Sequence, residues 1–404
     1  MNLEDNNISF QLYKYLCDIV GSEEVVRTRR EIFAAKDIGD HITAATFISS
    51  GSKAEGIDLK GSDYDLMILC DYYRVYECLN DGQYDLDKIM LSMDTDDTKP
   101  GFTKLMLGDN LFHNLVKQIL TWFETVGEKT YLSSKRVREK DLKDDIVIHG
   151  PCQSTPGGGF DFATCLRCKE WISPAQQWIH RSRTTWPDYT LVTSSVKYGV
   201  LFVPVGCKNS PNEDLQWRIS FSVTEKWLIH SFSHTQLLCY ALMKIILKDI
   251  IKLRHGDLIC SYFIKTIMFW LSEEISPIEW KPDSMTSCFL KYFKRLVYCV
   301  EYQTCLHYFI PEINLFEDRF TDNQHKELLE TLRDIYRSPW IAVFHTTTLK
   351  QFLPGSVNLR RMELTASELS CFTYISLFMH DAAKFYFYNP FVYTDLTKLV
   401  CAMI

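Results

Sequence analysis

The pattern of hydrophobic and polar positions divides the chain into a mixed front part and a helical back part. Between residues 8 and 46, apolar side chains recur at helical spacing (Phe10, Leu12, Tyr15, Leu16, Ile19, Val20) with charge in the gaps, which predicts one or two helices. The short run Ala44 to Ile48 reads as a strand feeding the small-residue turn Ser49-Ser50-Gly51-Ser52. Residues 53–58 read as a helix, and Asp63 to Cys70 as a strand that opens on acid and continues as a buried apolar run. Further strands are expected at Val147-Ile148, Phe160 to Leu166 and Val200 to Val205, with Gly157-Gly158-Gly159 as a connector.

After about residue 215 the period changes to that of a helix. Phe232 to Leu253, Asp257 to Ile275, Thr286 to Phe309 and Asn323 to Tyr336 predict four long amphipathic helices, with Pro277, Pro282 and Pro311 between them as stops. The expectation is an α+β fold of two lobes. A mixed twisted sheet with flanking helices occupies 1–225, a helical lobe occupies 226–340, and 341–404 forms a packed helical extension.

Composition narrows the class. A chain of 404 residues, 46% hydrophobic and 24% charged, suits two packed lobes of a globular protein. Its 44 basic against 51 acidic residues give a net charge of −7, so binding to a polyanion would need a local basic patch. Such clusters occur at Lys135-Arg136-Val137-Arg138 with Lys140 and Lys143, at Lys248, Lys252 and Arg254, at Lys291, Lys294 and Arg295, and at Arg360-Arg361. Taken singly, each reads first as a solvated face balanced by nearby acids, as in Arg138-Glu139-Lys140-Asp141.

The 14 cysteines are scattered, and several (Cys239, Cys260, Cys299, Cys305) lie in apolar runs. With an acidic start and no apolar leader behind it, the chain reads as cytoplasmic, with free thiols. The best apolar run, Leu237 to Ile251, is broken by Lys244, Lys248 and Asp249, so no membrane span is expected.

The most informative stretch is Gly51-Ser52-Lys53-Ala54-Glu55-Gly56 followed by Gly61-Ser62-Asp63-Tyr64-Asp65. Residues two apart on a strand share a face, so Asp63 and Asp65 project side by side. Two adjacent carboxylates repel unless a cation lies between them or one stays protonated, which makes the pair a natural divalent-metal site. The Gly-Ser turn offers backbone N–H groups and a hydroxyl to a triphosphate. Metal-assisted phosphoryl transfer wants a third carboxylate, and Asp161 is placed to supply it at the mouth of the strand that starts near Phe160. A lone Gly-Ser or Asp-x-Asp is most often a solvated turn; the ordered set carries the reading.

In their order, these residues resemble the cyclic GMP-AMP synthase-like receptors of the Mab-type nucleotidyltransferase family, invertebrate and bivalve-like members especially. The resemblance covers roughly residues 45–340. It is carried by the two blocks above, by Asp161-Phe162-Ala163, by Trp217-Arg218-Ile219-Ser220-Phe221-Ser222 with Glu225-Lys226, and by Ser261-Tyr262 with Lys265-Thr266. It implies a nucleotidyltransferase core, a helical lobe and an active site between them. It implies two Mg²⁺ (or Mn²⁺) ions on Asp63, Asp65 and Asp161, and a triphosphate held through Gly51 and Ser52. Tyr262 would stack on a base, Ser261 and Lys244 would contact phosphate or sugar, and Arg218, Ser220, Ser222 and Glu225 would line a second nucleotide pocket. The implied substrates are ATP, GTP or other nucleoside triphosphates. The implied product is a cyclic dinucleotide used in innate immunity, and the implied activator is double-stranded RNA, with DNA next.

The residues alone leave alternatives. Lys244 shares an i, i+4 stripe with Lys248 and Lys252 and reads equally as solvent-facing, Arg218 reads equally as half of an ion pair, and Tyr262, without the resemblance, reads first as a core aromatic. Vertebrate members carry a His-Cys-Cys-Cys zinc insertion after the block matching Trp217 to Lys226. Here the chain runs directly through His230-Ser231-Phe232-Ser233-His234 into a helix, so no structural zinc is expected and sensing of DNA in the vertebrate manner is in doubt. His230 and His234, four apart, could share a helix face, and Cys165-x-x-Cys168 has no second pair at ligand spacing. A catalytically silent scaffold of the same fold and a template-independent RNA nucleotidyltransferase are the rival readings.

Overall fold

The computed structural model describes residues 3–349 apart from 40, 43–44, 80–87, 109–120, 141, 143–144, 184–185, 340–341 and 344–345. Nearly all of the extension expected over 341–404, with Arg360-Arg361, lies outside the described residues, as does Lys143.

Two helices open the chain, α1 (Leu3–Val20) and α2 (Glu23–Gly39). Strands β1 (His41–Ile42) and β2 (Ala45–Ser50) lead into a one-turn helix, α3 (Gly51–Ala54). The expected helix at 53–58 therefore begins earlier: the Gly-Ser pair forms the helix's first turn. Strand β3 (Tyr64–Cys70) follows, then β4 (Tyr73–Tyr76), β5 (Ile89–Asp94), β6 (Phe102–Leu107), β7 (Phe123–Val126) and β8 (Lys129–Leu132). The set ends with β9 (Val147–His149), β10 (Cys152–Ser154), β11 (Phe160–Cys168), β12 (Val200–Val203) and β13 (Gln216–Ser220).

These strands make one sheet in the order β1-β2-β3-β11-β12-β13-β6-β5-β4, and a single pair, Cys168 with Val75, brings β4 back to β11. Its centre is the parallel pair β3–β11, flanked on one side by antiparallel β2. Strand β12 is buried at all four positions, as its unbroken apolar sequence requires.

Helices dominate from Ser222 onward: α4 (Ser222–His230), α5 (His234–Ile246), α6 (Ser261–Glu274), α7 (Met285–Glu301) and α8 (Asp322–Arg337). Ser233 caps α5 and Thr321 caps α8, each with a glutamine three residues on that completes a reciprocal capping box. Helix α8 buries Leu328, Leu329, Leu332 and Ile335, which form one face at helical spacing. Helix α1 packs on this helical part, with Ser9 Oγ 3.0 Å from Thr286 Oγ1 and Leu12, Leu16 and Val20 buried in the core.

Two expected helices differ from what forms. The run from 232 to 253 is interrupted: a wider π turn, Leu247–Ile251, separates α5 from the short helix Lys252–His255. The helix expected to reach Phe309 ends at Glu301 instead. Gln303 takes a left-handed conformation (φ 48°), and the Asn314 side chain accepts from the Cys305 N–H (2.9 Å) and donates to the Gln303 carbonyl (2.9 Å). Residues 305–310 therefore pack as an irregular, bent segment bridged at Leu306 to Asn314, which periodicity cannot distinguish from a helix tail.

Candidate active site

Strand pairing brings the acids together. In the parallel pair β3–β11, Asp161 lies in register with Asp65, and across β2–β3 Ser50 also faces Asp65. Asp63 sits immediately before β3, two residues from Asp65, so it shares that face. The three carboxylates offer oxygens that lie within 4.8 Å of one another, and all three residues are half-buried. The intervening aromatics point the other way. Tyr64 stacks on Phe160 with ring centroids 5.1 Å apart, and Phe160 stacks on Phe162, which ties the two strand mouths together behind the acids.

Such a cluster is electrostatically costly when bare. Burial, then the charges of Asp63 and Asp161, push the Asp65 carboxyl up to about 6. A hard divalent cation is the partner that this donor set fits, since it takes carboxylate oxygens and neutralises the shared charge.

The Gly-Ser turn closes against the same residue. Gly51 has φ 68°, and a Cβ built there would fall 1.7 Å from Asp65 Oδ2, so only glycine fits. Beside it, the Lys244 ammonium on α5 donates to Ser52 Oγ and lies 5.3 Å from the Tyr240 ring centroid. Burial lowers the Lys244 pKa, with the Lys265 charge adding and Glu55 opposing. Of the two readings of Lys244, the inward-facing one is the one that forms; Lys248 is the exposed lysine and donates to the Lys60 carbonyl at 2.8 Å.

Arg218 and Ser220 lie on β13, two apart, with Arg218 exposed. Ser222 opens α4, and its hydroxyl contacts Met67 Sδ at 3.0 Å, which joins the helix start to β3 just beyond the acids. Ser261 is the exposed first residue of α6, and Tyr262 follows it, half-buried against the core.

Beneath these residues runs a buried polar network whose connections sequence reasoning missed. Lys265 bridges Glu55 Oε1 (2.7 Å) and Glu225 Oε2 (3.3 Å), and both carboxylates are buried, at 3% and 6% exposed. Burial opposes the charge on Lys265, but Glu55 and Glu225 hold its pKa well above the ordinary lysine value. Tyr240 donates to Glu55 Oε2 (3.4 Å), Tyr262 to Glu225 Oε1 (3.3 Å), and His307 Nε2 lies 2.8 Å from the Tyr262 hydroxyl. Glu55, at the end of α3, is thereby linked to Glu225 and Tyr262. Glu55 and Lys265 stand in the recognised blocks, but no spacing rule pairs residues 210 positions apart (265 − 55). His307 and Tyr240 carried no signal.

The remaining metal-ligand pairs fall apart in space. His230 ends α4 and His234 begins α5, so they do not share a helix face as the four-residue spacing suggested; the Ser233 cap starts a new helix between them. His230 Nε2 lies 2.9 Å from the Ala54 carbonyl, and burial pushes its imidazole down to about 4. His234 Nε2 lies 3.5 Å from Cys17 Sγ. Cys165 and Cys168, three apart on β11, face opposite sides of the strand and pack into different clusters.

The basic clusters are largely engaged locally. Lys135 pairs with Asp214 (3.0 Å), Arg136 with Glu124 (2.9 Å), Lys252 with Asp257 (2.7 Å), Lys291 with Glu279 (2.5 Å), and Arg295 with Glu274. No helix among the described residues is long and apolar enough to cross a membrane.

Residues 236–334 match the Mab-21 protein HhH/H2TH-like domain. The chain is 24% identical over 272 residues to cyclic GMP-AMP synthase of Mus musculus, a match covering 60% of this chain and 52% of that protein. It is 26% identical over 146 residues to cyclic GMP-AMP synthase of Sus scrofa, covering 32% of this chain and 29% of that protein. The chain thus spans about half the length, or less, of these curated relatives.

Proposed function

We propose, for a chain of the cyclic GMP-AMP synthase- and Mab-21-like kind, that it is a metal-dependent nucleotidyltransferase that joins two nucleoside triphosphates into a cyclic dinucleotide messenger of innate immunity. The observation that carries this reading is the convergence of Asp63, Asp65 and Asp161 within 4.8 Å, with Gly51 pressed against Asp65 and Ser52 beside it. The proposed lobes, residues 1–225 and 226–340, meet inside α4, with α1 packed on the helical side and the substrates between the two.

Asp63, Asp65 and Asp161, whose oxygens lie within 4.8 Å of one another, would hold two Mg²⁺ or Mn²⁺ ions. When bound, such ions polarise the attacking hydroxyl and neutralise charge on the reacting phosphates. Ser52 and Lys244 bind the donor triphosphate; Lys244 exchanges its bond to the Ser52 hydroxyl for phosphate oxygens, which offsets the cost of its burial. Tyr262 supports a base, and Ser261 at the exposed start of α6 meets phosphate or sugar. Arg218, Ser220, Ser222 and Glu225 orient the second nucleotide so that its ribose hydroxyl points at the donor α-phosphorus. Attack there forms a phosphodiester and breaks the α–β phosphoanhydride, releasing pyrophosphate; the hydroxyl proton leaves to solvent. The linear dinucleotide then turns over in the same site and closes by the same chemistry. Double-stranded RNA, then DNA, is the proposed activator on resemblance alone, and the cytoplasm is the proposed compartment on the free thiols.

The test is incubation with all four labelled triphosphates and Mg²⁺ or Mn²⁺, with and without duplex RNA or DNA. A product with the mass of a cyclic dinucleotide supports the proposal. Extension of a labelled RNA end, or no turnover across the panel, contradicts it.

A further inference from the structure

His307 lies in the irregular, bent segment after α7, outside every block that carries the family resemblance. It is buried, at 7% exposed, and all of its hydrogen-bonding capacity is committed. Nδ1 accepts two backbone N–H groups, from Phe309 (3.2 Å) and Ile310 (3.0 Å). A neutral imidazole carries one proton, so it must sit on Nε2, which faces the Tyr262 hydroxyl at 2.8 Å. The phenol oxygen therefore accepts from His307, and its own proton goes to Glu225 Oε1 at 3.3 Å. The direction of every bond in the His307–Tyr262–Glu225 chain is fixed. Burial, with the Arg218 charge adding, pushes the imidazole down to about 3, so this tautomer persists at neutral pH.

The imidazole also reaches the segment proposed to orient the second nucleotide. Its ring centroid lies 5.8 Å from that of Phe221, the residue between Ser220 and Ser222, and 6.0 Å from that of Phe309. Phe221 and Phe309 stack on each other at 4.3 Å. One buried side chain thus touches Tyr262 by a hydrogen bond and the Ser220–Ser222 segment by ring packing.

We infer that His307 is a positioning residue that fixes the Tyr262 phenol and, through it, the Glu225 carboxylate in the one arrangement that receives a nucleobase. The inference rests on the proposed function, because it takes Tyr262 as the base platform. It assigns His307 no contact with substrate. The effect runs through the phenol, since a ring whose hydroxyl is held at a fixed point by donor and acceptor cannot swing, and a preorganised platform loses less freedom on binding.

The experiment is calorimetric titration of the full chain with a non-hydrolysable ATP analogue, and separately a GTP analogue, in Mn²⁺. The proteins are the wild type, His307→Leu, His307→Gln, Tyr262→Phe and the His307→Leu/Tyr262→Phe double variant. His307→Leu is expected to weaken binding about tenfold. His307→Gln, whose amide can accept a backbone N–H and donate to the phenol, is expected to stay within about threefold of wild type. In the Tyr262→Phe background, His307→Leu is expected to add no further loss. Unchanged binding in a folded His307→Leu variant, an equal loss with and without the phenol, or failure of a folded glutamine variant to recover binding would each overturn the inference. ¹⁵N-imidazole NMR of the wild type keeps it testable if leucine prevents folding. The Nε2–H tautomer with no titration between about pH 5 and 8 is expected; the Nδ1–H form, or a charged ring, overturns it. A wild type that binds neither analogue contradicts both this inference and the proposed function. One that binds them with the expected coupling but forms no product from the natural triphosphates removes the transfer reaction and leaves His307 in its role.

Discussion

Asp161 lies directly opposite Asp65 across two parallel strands that are joined from Phe160–Tyr64 to Cys165–Leu69. Two carboxylates held at one rung of a sheet, with Asp63 beside them, cannot all stay charged without a compensating cation.

Bare of metal, the fold pays for this in a pH-dependent way. The Asp65 carboxyl is raised from 3.8 to about 6, so the folded state holds its proton more tightly than the unfolded chain does. That contribution is fully present below about pH 4 and is lost as pH rises through about 6. At neutral pH the strain amounts to about 3 kcal/mol at most, from about 1.4 kcal/mol per unit. Thermal unfolding in chelator should show Asp65→Asn above wild type in Tm at pH 7, with the difference shrinking toward pH 4. Product formation by Asp65→Asn should fall at least about 10³-fold.

Gly51→Ala should abolish turnover while leaving the chain foldable. The added methyl lands 1.7 Å from Asp65 Oδ2, on a backbone at φ 68° that alanine resists. The carboxylate must move, which costs about 1–3 kcal/mol of stability. Denaturant unfolding and a turnover assay on the same sample separate the two effects.

Lys265→Met leaves Glu55 and Glu225 buried without their shared cation. Removing one partner of a buried ion pair costs about 3–5 kcal/mol. The midpoint of denaturant unfolding should drop accordingly. Lys244→Met removes a single hydrogen bond to Ser52 and should barely change that midpoint, while KM for the donor triphosphate rises about 10- to 100-fold.

The acid triad was legible in the sequence because strand period and chain order fix it: Asp63 and Asp65 two apart, Asp161 at the mouth of a neighbouring strand. The helices were legible by periodicity, and most of their ends fall close to where the pattern puts them, but two interruptions do not. The π turn at Leu247–Ile251 and the left-handed Gln303 lie within or beside apolar runs that continue in register, so nothing in the pattern marks them. The Lys265 network was illegible for a different reason. Its partners Glu55 and Glu225 come from α3 and α4 and meet only when the helical part docks on the sheet. The ordinary-looking residue His307 gains its place from the same docking.

Chelator should separate catalysis from folding. His230 and His234 are turned to Ala54 and Cys17, so removal of divalent ions with EDTA should stop turnover and leave the chain folded, lowering Tm at pH 7 where the bare carboxylates repel and losing that effect toward pH 4, and purified protein should carry no stoichiometric zinc by metal analysis.

Manganese binding reports on the carboxylate cluster itself. Titration of Mn²⁺ into the full chain with a non-hydrolysable triphosphate, followed by electron paramagnetic resonance, should show two ions per wild-type chain and none held tightly after Asp63→Asn with Asp65→Asn. Equal Mn²⁺ binding by the doubly substituted protein would contradict the assignment of Asp63, Asp65 and Asp161 as the metal centre.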